Sequence, residues 1–589
     1  MSPTNTDVVV DDGRAKWSDL WKKEDYWAIW LGFILLIAAY VLFVANAPAD
    51  IADKVAAQNA VMKAESEKAP FRTIEYYKAQ DAKKKINSRG TDAAKTVSWL
   101  LARPAGWKNN PLDSFYVPKE AADAANAAAK PKADAAKATL DGVFAEAKAA
   151  QAEAVAAGFN DDALNAAAEA KIAAWRQAIT DNGKAPKTDK KALNLFPSLL
   201  TVMVSGMLLF GVGMAAMGQN IVKFAVGFVG VFVVAVLAFM MGSQSTMRYY
   251  GVGSEAWAII IGMFIANTVG TPKWIKPALQ TEYYIKTGLV LLGAEVLFDK
   301  IVAIGIPGIF VAWVVTPTVL ICTFIFGQKI LKMPSKTLNI TISADMSVCG
   351  TSAAIATAAA CRAKKEELTL AIGLSLVFTA IMMIAMPAFI KAVGMPEVLG
   401  GAWIGGTVDA TGAVAAAGAF IGEKAMYVAA TIKMIQNVLI GVTAFGVAVY
   451  WTTKVEPEEQ GINRGQVGPI SRGQTGLIEI WNRFPKFVLG FLTASIVASL
   501  ISGGLGDISN PLVSDGLVRG MSSPLRSWCF ALAFTSIGLG TNFRELAHYF
   551  KGGKPVILYV CGQSFNLLLT FLMAWVMFYK VFPEITAKI

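Results

Sequence analysis

Apolar runs of membrane-spanning length recur along this chain, and no other feature restricts its fold as strongly. Trp27 to Val44, Leu199 to Met217, Val222 to Met241, Ile301 to Phe326, Leu368 to Phe389, Val428 to Tyr450 and Val556 to Met577 are examples. Each suits a hydrocarbon core, which takes roughly 17 to 25 residues of helix. Composition agrees: 55% of the 589 residues are hydrophobic and 16% charged, against about a quarter charged in an average soluble domain. The expected fold is all-α, a polytopic membrane protein with inverted repeats and two broken re-entrant segments, plus a helical extracytoplasmic insert.

The formal charge of +11 does not point to nucleic acid, because much of the Lys and Arg sits in short loops between apolar runs. There it acts as an orientation signal. Cys322, Cys349, Cys361, Cys529 and Cys561 lie in or beside apolar segments without a close C-x-x-C pair, and His548 is the sole histidine. Packing accounts for the cysteines, and a multi-histidine metal site is excluded. Walker, G-x-S-x-G and H-E-x-x-H motifs are absent, so the chain reads as neither an ATP-driven pump nor a hydrolase, and as no enzyme.

Three regions follow in order. Residues 1–47 form a cytoplasmic N-terminus with Arg14, Lys16, Lys22 and Lys23, then an apolar run rimmed by Trp27 and Trp30. That run is long for a signal peptide and reads as a retained anchor. Residues 48–195 are rich in Ala, Lys, Asp and Glu, too poor in hydrophobes to insert. Helices are expected at 119–130, 133–157 and 160–180, punctuated by Pro131 and Gly158. This insert is read as a spacer, a cover or a docking surface for a protein partner. Residues 196–589 are the transporter region. Crossings are expected near 197–217, 220–241, 255–272, 281–298, 301–327, 368–390, 426–451, 486–502, 524–541 and 555–579, eleven with the anchor.

Two further apolar segments, 340–361 and 400–422, are rich in Gly, Ala, Ser and Thr, and each holds an aspartate. Lys329, Lys332 and Lys336 precede the first, while Arg362, Lys364 and Lys365 follow it. Two cytoplasmic flanks mean that it enters and returns on one side. The second is flanked by an outer connection around Pro396 and Glu397 and by a crossing into the basic loop 452–483, so it re-enters from the outer face. With the N-terminus inside, Arg544, Lys551 and Lys554 also fall inside and the insert outside.

The first segment reads Ser343-Ala344-Asp345-Met346-Ser347-Val348-Cys349-Gly350-Thr351-Ser352, the second Gly406-Thr407-Val408-Asp409-Ala410-Thr411-Gly412. Each joins an Asp-x-Ser/Thr and a nearby glycine to an alanine-rich helix, as equivalent halves of an inverted repeat would. A break frees backbone groups that lipid cannot satisfy. The following half-helix presents N–H groups to an anion, and side-chain oxygens with freed carbonyls suit a hard cation such as sodium. Asp345, Ser347, Asp409 and Thr411 are therefore candidate coupling-ion ligands, with sodium at Asp345 and Asp409. Cys349, Gly350, Thr351, Ser352, Gly406, Thr407, Gly412, Gln436 and Asn437 are candidate substrate contacts. Alternatively, each aspartate merely caps its half-helix. Lys433, Gln436 and Asn437 share a helix face, although Lys433 sits near a helix end where it could snorkel. Glu282 and Lys286 read as an interfacial ion pair; Glu295, Gln563 and Asn566 are further polar residues in apolar surroundings.

Four stretches carry a resemblance: Ile285-Lys286-Thr287-Gly288-Leu289-Val290-Leu291-Leu292-Gly293, Cys349-Gly350-Thr351-Ser352-Ala353, Phe487-Val488-Leu489-Gly490-Phe491, and Ser536-Ile537-Gly538-Leu539-Gly540-Thr541-Asn542-Phe543-Arg544. From about Phe196 to the C-terminus the sequence resembles the YeiH-type family of UPF0324-like membrane transporters, named as sulfate exporters. The resemblance implies a transporter with inverted repeats. It leads one to expect His-Glu after the Gly-Thr of the second segment, where this chain has Asp409-Ala410, and it is silent on residues 48–192. The expected activity is ion-coupled, alternating-access transport of a small anion such as sulfate, an organosulfonate or a carboxylate, by a homo-oligomer in the inner membrane. The alternatives are the membrane subunit of a sodium-translocating decarboxylase and a ligand-gated channel or receptor. No organic cofactor is expected beyond the sodium ion.

Overall fold

The computed structural model describes residues 17–249, 253–295, 298–455, 486–542, 544 and 553–587. Arg464, Arg472, Arg483 and Lys551, which carry part of the orientation argument, lie outside the described residues, as does His548. The chain divides into two compact units, one of Met1–Leu35, Met203–Ser499 and Leu525–Ile589, the other of Leu36–Val202 and Leu500–Pro524.

Among the described residues eight helices, from Glu24–Ala45 to Lys554–Val581, are long and apolar enough to cross a membrane. The other three expected crossings form the helices Ser254–Thr268, Thr281–Glu295 and Ser523–Gly540, of 15, 15 and 18 residues. Burial explains how short helices persist here. Thr281–Glu295 is buried on nearly every face, so protein rather than lipid sets its length. Lys286 at its start is held by Glu24 at 2.6 Å and Asp25 at 2.7 Å, with Glu282 at 3.5 Å. The expected local pair is thus the weakest contact of a cluster that fastens the N-terminal helix.

The first broken segment runs as helix Lys336–Ala344, a wide turn Asp345–Cys349, and helix Thr351–Ala360. Its two ends meet: Thr337 Oγ1 donates to Glu367 at 2.8 Å, and Ser335 Oγ donates to the same carboxylate, which opens the next long helix. The second runs as helix Glu397–Thr407, three non-helical residues, and helix Thr411–Ile421. It also folds back, since a Cβ on Gly422 would lie 2.6 Å from the Glu397 carboxylate. Both segments are helical hairpins with closed ends.

The second unit is built from the helices Ile51–Lys68, Ile74–Lys85, Asp92–Leu100, Lys119–Ala156 and Asp162–Asn182. Thr73, Thr91 and Asp161 cap three of them with side-chain oxygens, satisfying N–H groups that a helix start leaves open. A small core of Phe71, Ile74, Ala147, Ala154, Ala168, Ile172 and Trp175 holds the two long helices together. Residues 500–524 belong to the same unit. Ser88 Oγ donates to the Pro511 carbonyl at 3.1 Å, Lys83 meets Asp507 at 3.3 Å, and Leu512 packs with Ile51 and Val55.

Pro131 does not end a helix as the sequence suggests; it lies inside the continuous 38-residue helix Lys119–Ala156. A proline removes one bond and pushes on the carbonyl four residues earlier. Here both Pro131 and Ala127 face solvent, so water takes that carbonyl. Gly158, at φ +60°, does end the helix.

Candidate functional site

The first break is shaped by Gly350, whose φ of 62° and ψ of −131° no L-residue adopts without strain. The turn before it is wide, and its carbonyls leave the helical ladder. Three consecutive ones are taken up by side chains of other helices. Asn566 Nδ2 donates to Met346 O at 3.1 Å, Gln436 Nε2 to Ser347 O at 2.9 Å, and Lys433 Nζ to Val348 O at 2.9 Å.

The second break is extended at Val408 and Ala410. Its carbonyls find partners on the same two helices: Gln436 Nε2 donates to Gly406 O at 3.3 Å and Gln563 Nε2 to Thr407 O at 2.9 Å. Gln436 therefore braces both breaks, its two amide hydrogens shared among these carbonyls and Thr316 Oγ1 at 3.0 Å. An orphaned buried carbonyl costs about 1–3 kcal/mol, which is the physical reason for amide and ammonium side chains here.

The breaks touch. A methyl group on Gly350 would lie 3.3 Å from Asp409 Cβ and 3.2 Å from Ser375 Oγ. Asp345 and Asp409 are both buried, as is Lys433. Asp409 accepts a short hydrogen bond from the Tyr559 hydroxyl, and Phe378 stacks on the tyrosine ring at 4.5 Å. Neither oxygen of Asp345 has a close, well-aligned hydrogen-bond partner among the described residues; the Ser375 hydroxyl is a neighbouring donor. Lys433 does not reach either carboxylate. Its ammonium is spent on Val348 O and on Gln436 Oε1, at 2.9 and 2.8 Å.

The cluster thus has unsatisfied acceptors, while Lys433 has given two of its three N–H donors to other groups. Asn437 Oδ1 and Gln563 Oε1 are also buried without partners, while their amide nitrogens serve Thr411 Oγ1 at 3.2 Å and Thr407 O. With every group ionised, two carboxylates and one ammonium sum to minus one. Such a place attracts a cation of low charge bound through oxygen. Among the described residues no three His, Cys, Asp or Glu side chains gather as a metal-ligand set, so the protein ligands available are carboxylate and neutral oxygens.

Of the residues singled out from sequence, Asp345, Ser347, Gly350, Gly406, Thr407, Asp409, Thr411, Gln436 and Asn437 are brought into this crossing. Thr407 directs its hydroxyl back to Trp403 O and offers its carbonyl. Thr351 and Ser352 open the second half-helix and are exposed. Cys349 packs in an apolar cluster with Val348, Ala353 and Leu439. A Cβ on Gly412 would lie 3.5 Å from Ile537 and 3.7 Å from Ile285. Lys433 is buried rather than snorkelling. Tyr559 and Ser375 were not foreseen. Tyr559 sits four residues before Gln563 and seven before Asn566, so one shared helix face was the available signal.

A second buried charge cluster is fully paired. Arg526 Nε and Nη2 each meet a carboxylate oxygen of Glu295 at 2.9 Å, and Glu423 lies 3.9 Å away.

A family described as "Conserved hypothetical protein 698" matches residues 226–559, which include both breaks, Lys433 and Tyr559. Two membrane proteins of Nitratidesulfovibrio vulgaris, both named UPF0324 membrane protein, are 68% identical over 591 residues, covering all of this chain and all of each relative. The chain belongs to the UPF0324 membrane protein family. A UPF0324 protein of Rhodopirellula baltica is 56% identical over 63% of the chain and 66% of its own length. One of Nitrosomonas europaea is 26% identical over 63% of the chain and 81% of its own length. The YeiH-type resemblance falls in this same family. No solved structure matches the chain.

Proposed function

We propose that this UPF0324 protein is an ion-coupled secondary transporter of a small anion, working by alternating access. The observation that carries the proposal is the meeting of two helix breaks at a buried carboxylate pair, with Asp345 unpartnered. An aspartate at membrane depth costs about 2.5–3.5 kcal/mol on insertion scales. A chain that only had to span lipid gains nothing by keeping two. Asp345 and Asp409, aided by Ser347, Thr411 and the free amide oxygens, are the ligands of the cation that travels with the solute, sodium or a proton. The anion belongs beside the half-helix starts at Thr351 and Thr411, where exposed Thr351 and Ser352 give it a way in.

The closed ends of both hairpins support re-entry, and their opposed charge flanks support entry from opposite faces of the membrane, as in an inverted repeat. On this reading the N-terminus and the Lys336 and Lys364 flanks are cytoplasmic, the membrane is the inner one, and the insert is outside. Sulfate, organosulfonates and carboxylates are the solutes to screen first. The test uses purified protein in vesicles: saturable counterflow of a small anion, dependent on sodium or on a proton gradient, is expected. Asp409→Asn keeps the side-chain volume and should abolish that dependence in folded protein. Unchanged ion-dependent uptake by Asp409→Asn would refute the proposal.

A further inference from the structure

The protein carries a groove of about 370 Å³ between the helices Val315–Lys329 and Lys554–Trp575. Its lining is almost wholly apolar: Cys322, Phe326, Cys561 and Phe565, with Thr323 and Gly562 as the floor. Cys322 and Cys561 are exposed on helices long and apolar enough to cross the membrane. Whatever fills this groove comes from the bilayer.

Both helices end at basic residues on one side. Cys322 lies seven residues from Lys329, and Cys561 lies seven from Lys554; at 1.5 Å per residue each thiol is about 10 Å in from its lysine. Lys554 Nζ donates to the Lys332 carbonyl at 3.0 Å, which ties the two helix ends together. Lys329, Lys332 and Lys554 are exposed, and none forms an ion pair with a carboxylate among the described residues. Three exposed lysines about 10 Å along the helices from an apolar groove match the head and chain of an anionic phospholipid.

We infer that an anionic phospholipid binds here as a specific ligand, its phosphate at Lys329, Lys332 and Lys554 and one acyl chain along Cys322 and Cys561. The floor joins this site to the breaks. A Cβ on Gly562 would lie 2.3 Å from Met346 Cε and 2.8 Å from Thr323 Cγ2, so only a glycine separates the lipid chain from the residue that follows Asp345. A zwitterionic lipid would fill the groove without holding its head at the lysines.

The test uses the full chain in lipid nanodiscs containing a trace of phosphatidylglycerol or phosphatidylcholine, each with a diazirine in mid-chain, and maps the photo-crosslinked peptides. The phosphatidylglycerol probe should label the peptides bearing Cys322 and Cys561 several-fold more than the phosphatidylcholine probe. Combined Lys329→Gln, Lys332→Gln and Lys554→Gln should equalise the two. Cys561→Trp, which fills the groove and leaves the lysines alone, should abolish labelling of these peptides by both probes; it also decides the matter if the triple variant does not fold. Equal labelling of the unaltered protein by both probes, or undiminished groove labelling in Cys561→Trp, would overturn the inference.

Discussion

The protein buries carboxylates in two regions and treats them oppositely. Glu295 is gripped by Arg526 through two bonds of 2.9 Å, whereas Asp345 is equally buried and has, among the described residues, no basic partner and no well-aligned hydrogen bond. Desolvating a charge is expensive in both places. In the first, geometry offsets the cost and the result is a strut between the helices Thr281–Glu295 and Ser523–Gly540. In the second, Lys433, Gln436 and Asn566 donate to backbone carbonyls of the breaks, and on the proposed reading the carboxylate is left for the coupling ion. On that reading pairing marks architecture, and its absence marks the proposed site.

The comparison breaks most visibly when a paired partner is removed. Arg526→Met removes both 2.9 Å bonds that hold the buried Glu295, so we expect a loss of about 3–5 kcal/mol, read as a lower midpoint of thermal unfolding in detergent. An unfolding midpoint equal to that of the parent would show that the pair is no strut.

Gln436 sits on the boundary between the two categories, since its amide braces both breaks and carries no charge. Gln436→Ala frees the Ser347 and Gly406 carbonyls, at about 1–3 kcal/mol for each buried group. The expected result is about 2–4 kcal/mol of destabilisation by the same measurement. Gln436→Glu, which keeps the length but loses the donor, should behave alike; full stability in both would confine Gln436 to solute contact.

Tyr559→Phe removes a hydroxyl that donates to Asp409. A hydrogen bond to a charged group is worth about 1.5–3 kcal/mol, part of which the Thr379 hydroxyl can replace. We expect a stability change at or below that range and an altered dependence of uptake on the coupling ion. An unaltered ion dependence would separate Tyr559 from the site.

Much of this was legible in the sequence because it is local. A charge in an apolar run is conspicuous, so Asp345, Asp409 and Glu295 stand out. Spacing along one helix gives Lys433, Gln436 and Asn437 a common face. What escaped is tertiary. Lys286 pairs with Glu24, 262 residues away, in preference to its helical neighbour Glu282, and no local pattern encodes that choice. Tyr559 looks like core until Asp409 is set against it. Pro131 reads as a stop, yet solvent on both Pro131 and Ala127 lets the helix continue. The insert's composition foretold helix but concealed the Phe71, Ile172 and Trp175 core, because scattered apolar residues form a face only once two helices lie side by side.

The most direct test compares one isosteric change at each buried carboxylate: Glu295→Gln, Asp345→Asn and Asp409→Asn, unfolded thermally in the same detergent without added cation. If Glu295 is a strut and the aspartates form a site, Glu295→Gln unfolds at a lower temperature than the parent, while Asp345→Asn unfolds at the parental temperature or above it. Asp345→Asn losing as much stability as Glu295→Gln would mean that its carboxylate is structural, and the assignment of the two breaks as an ion site would fall.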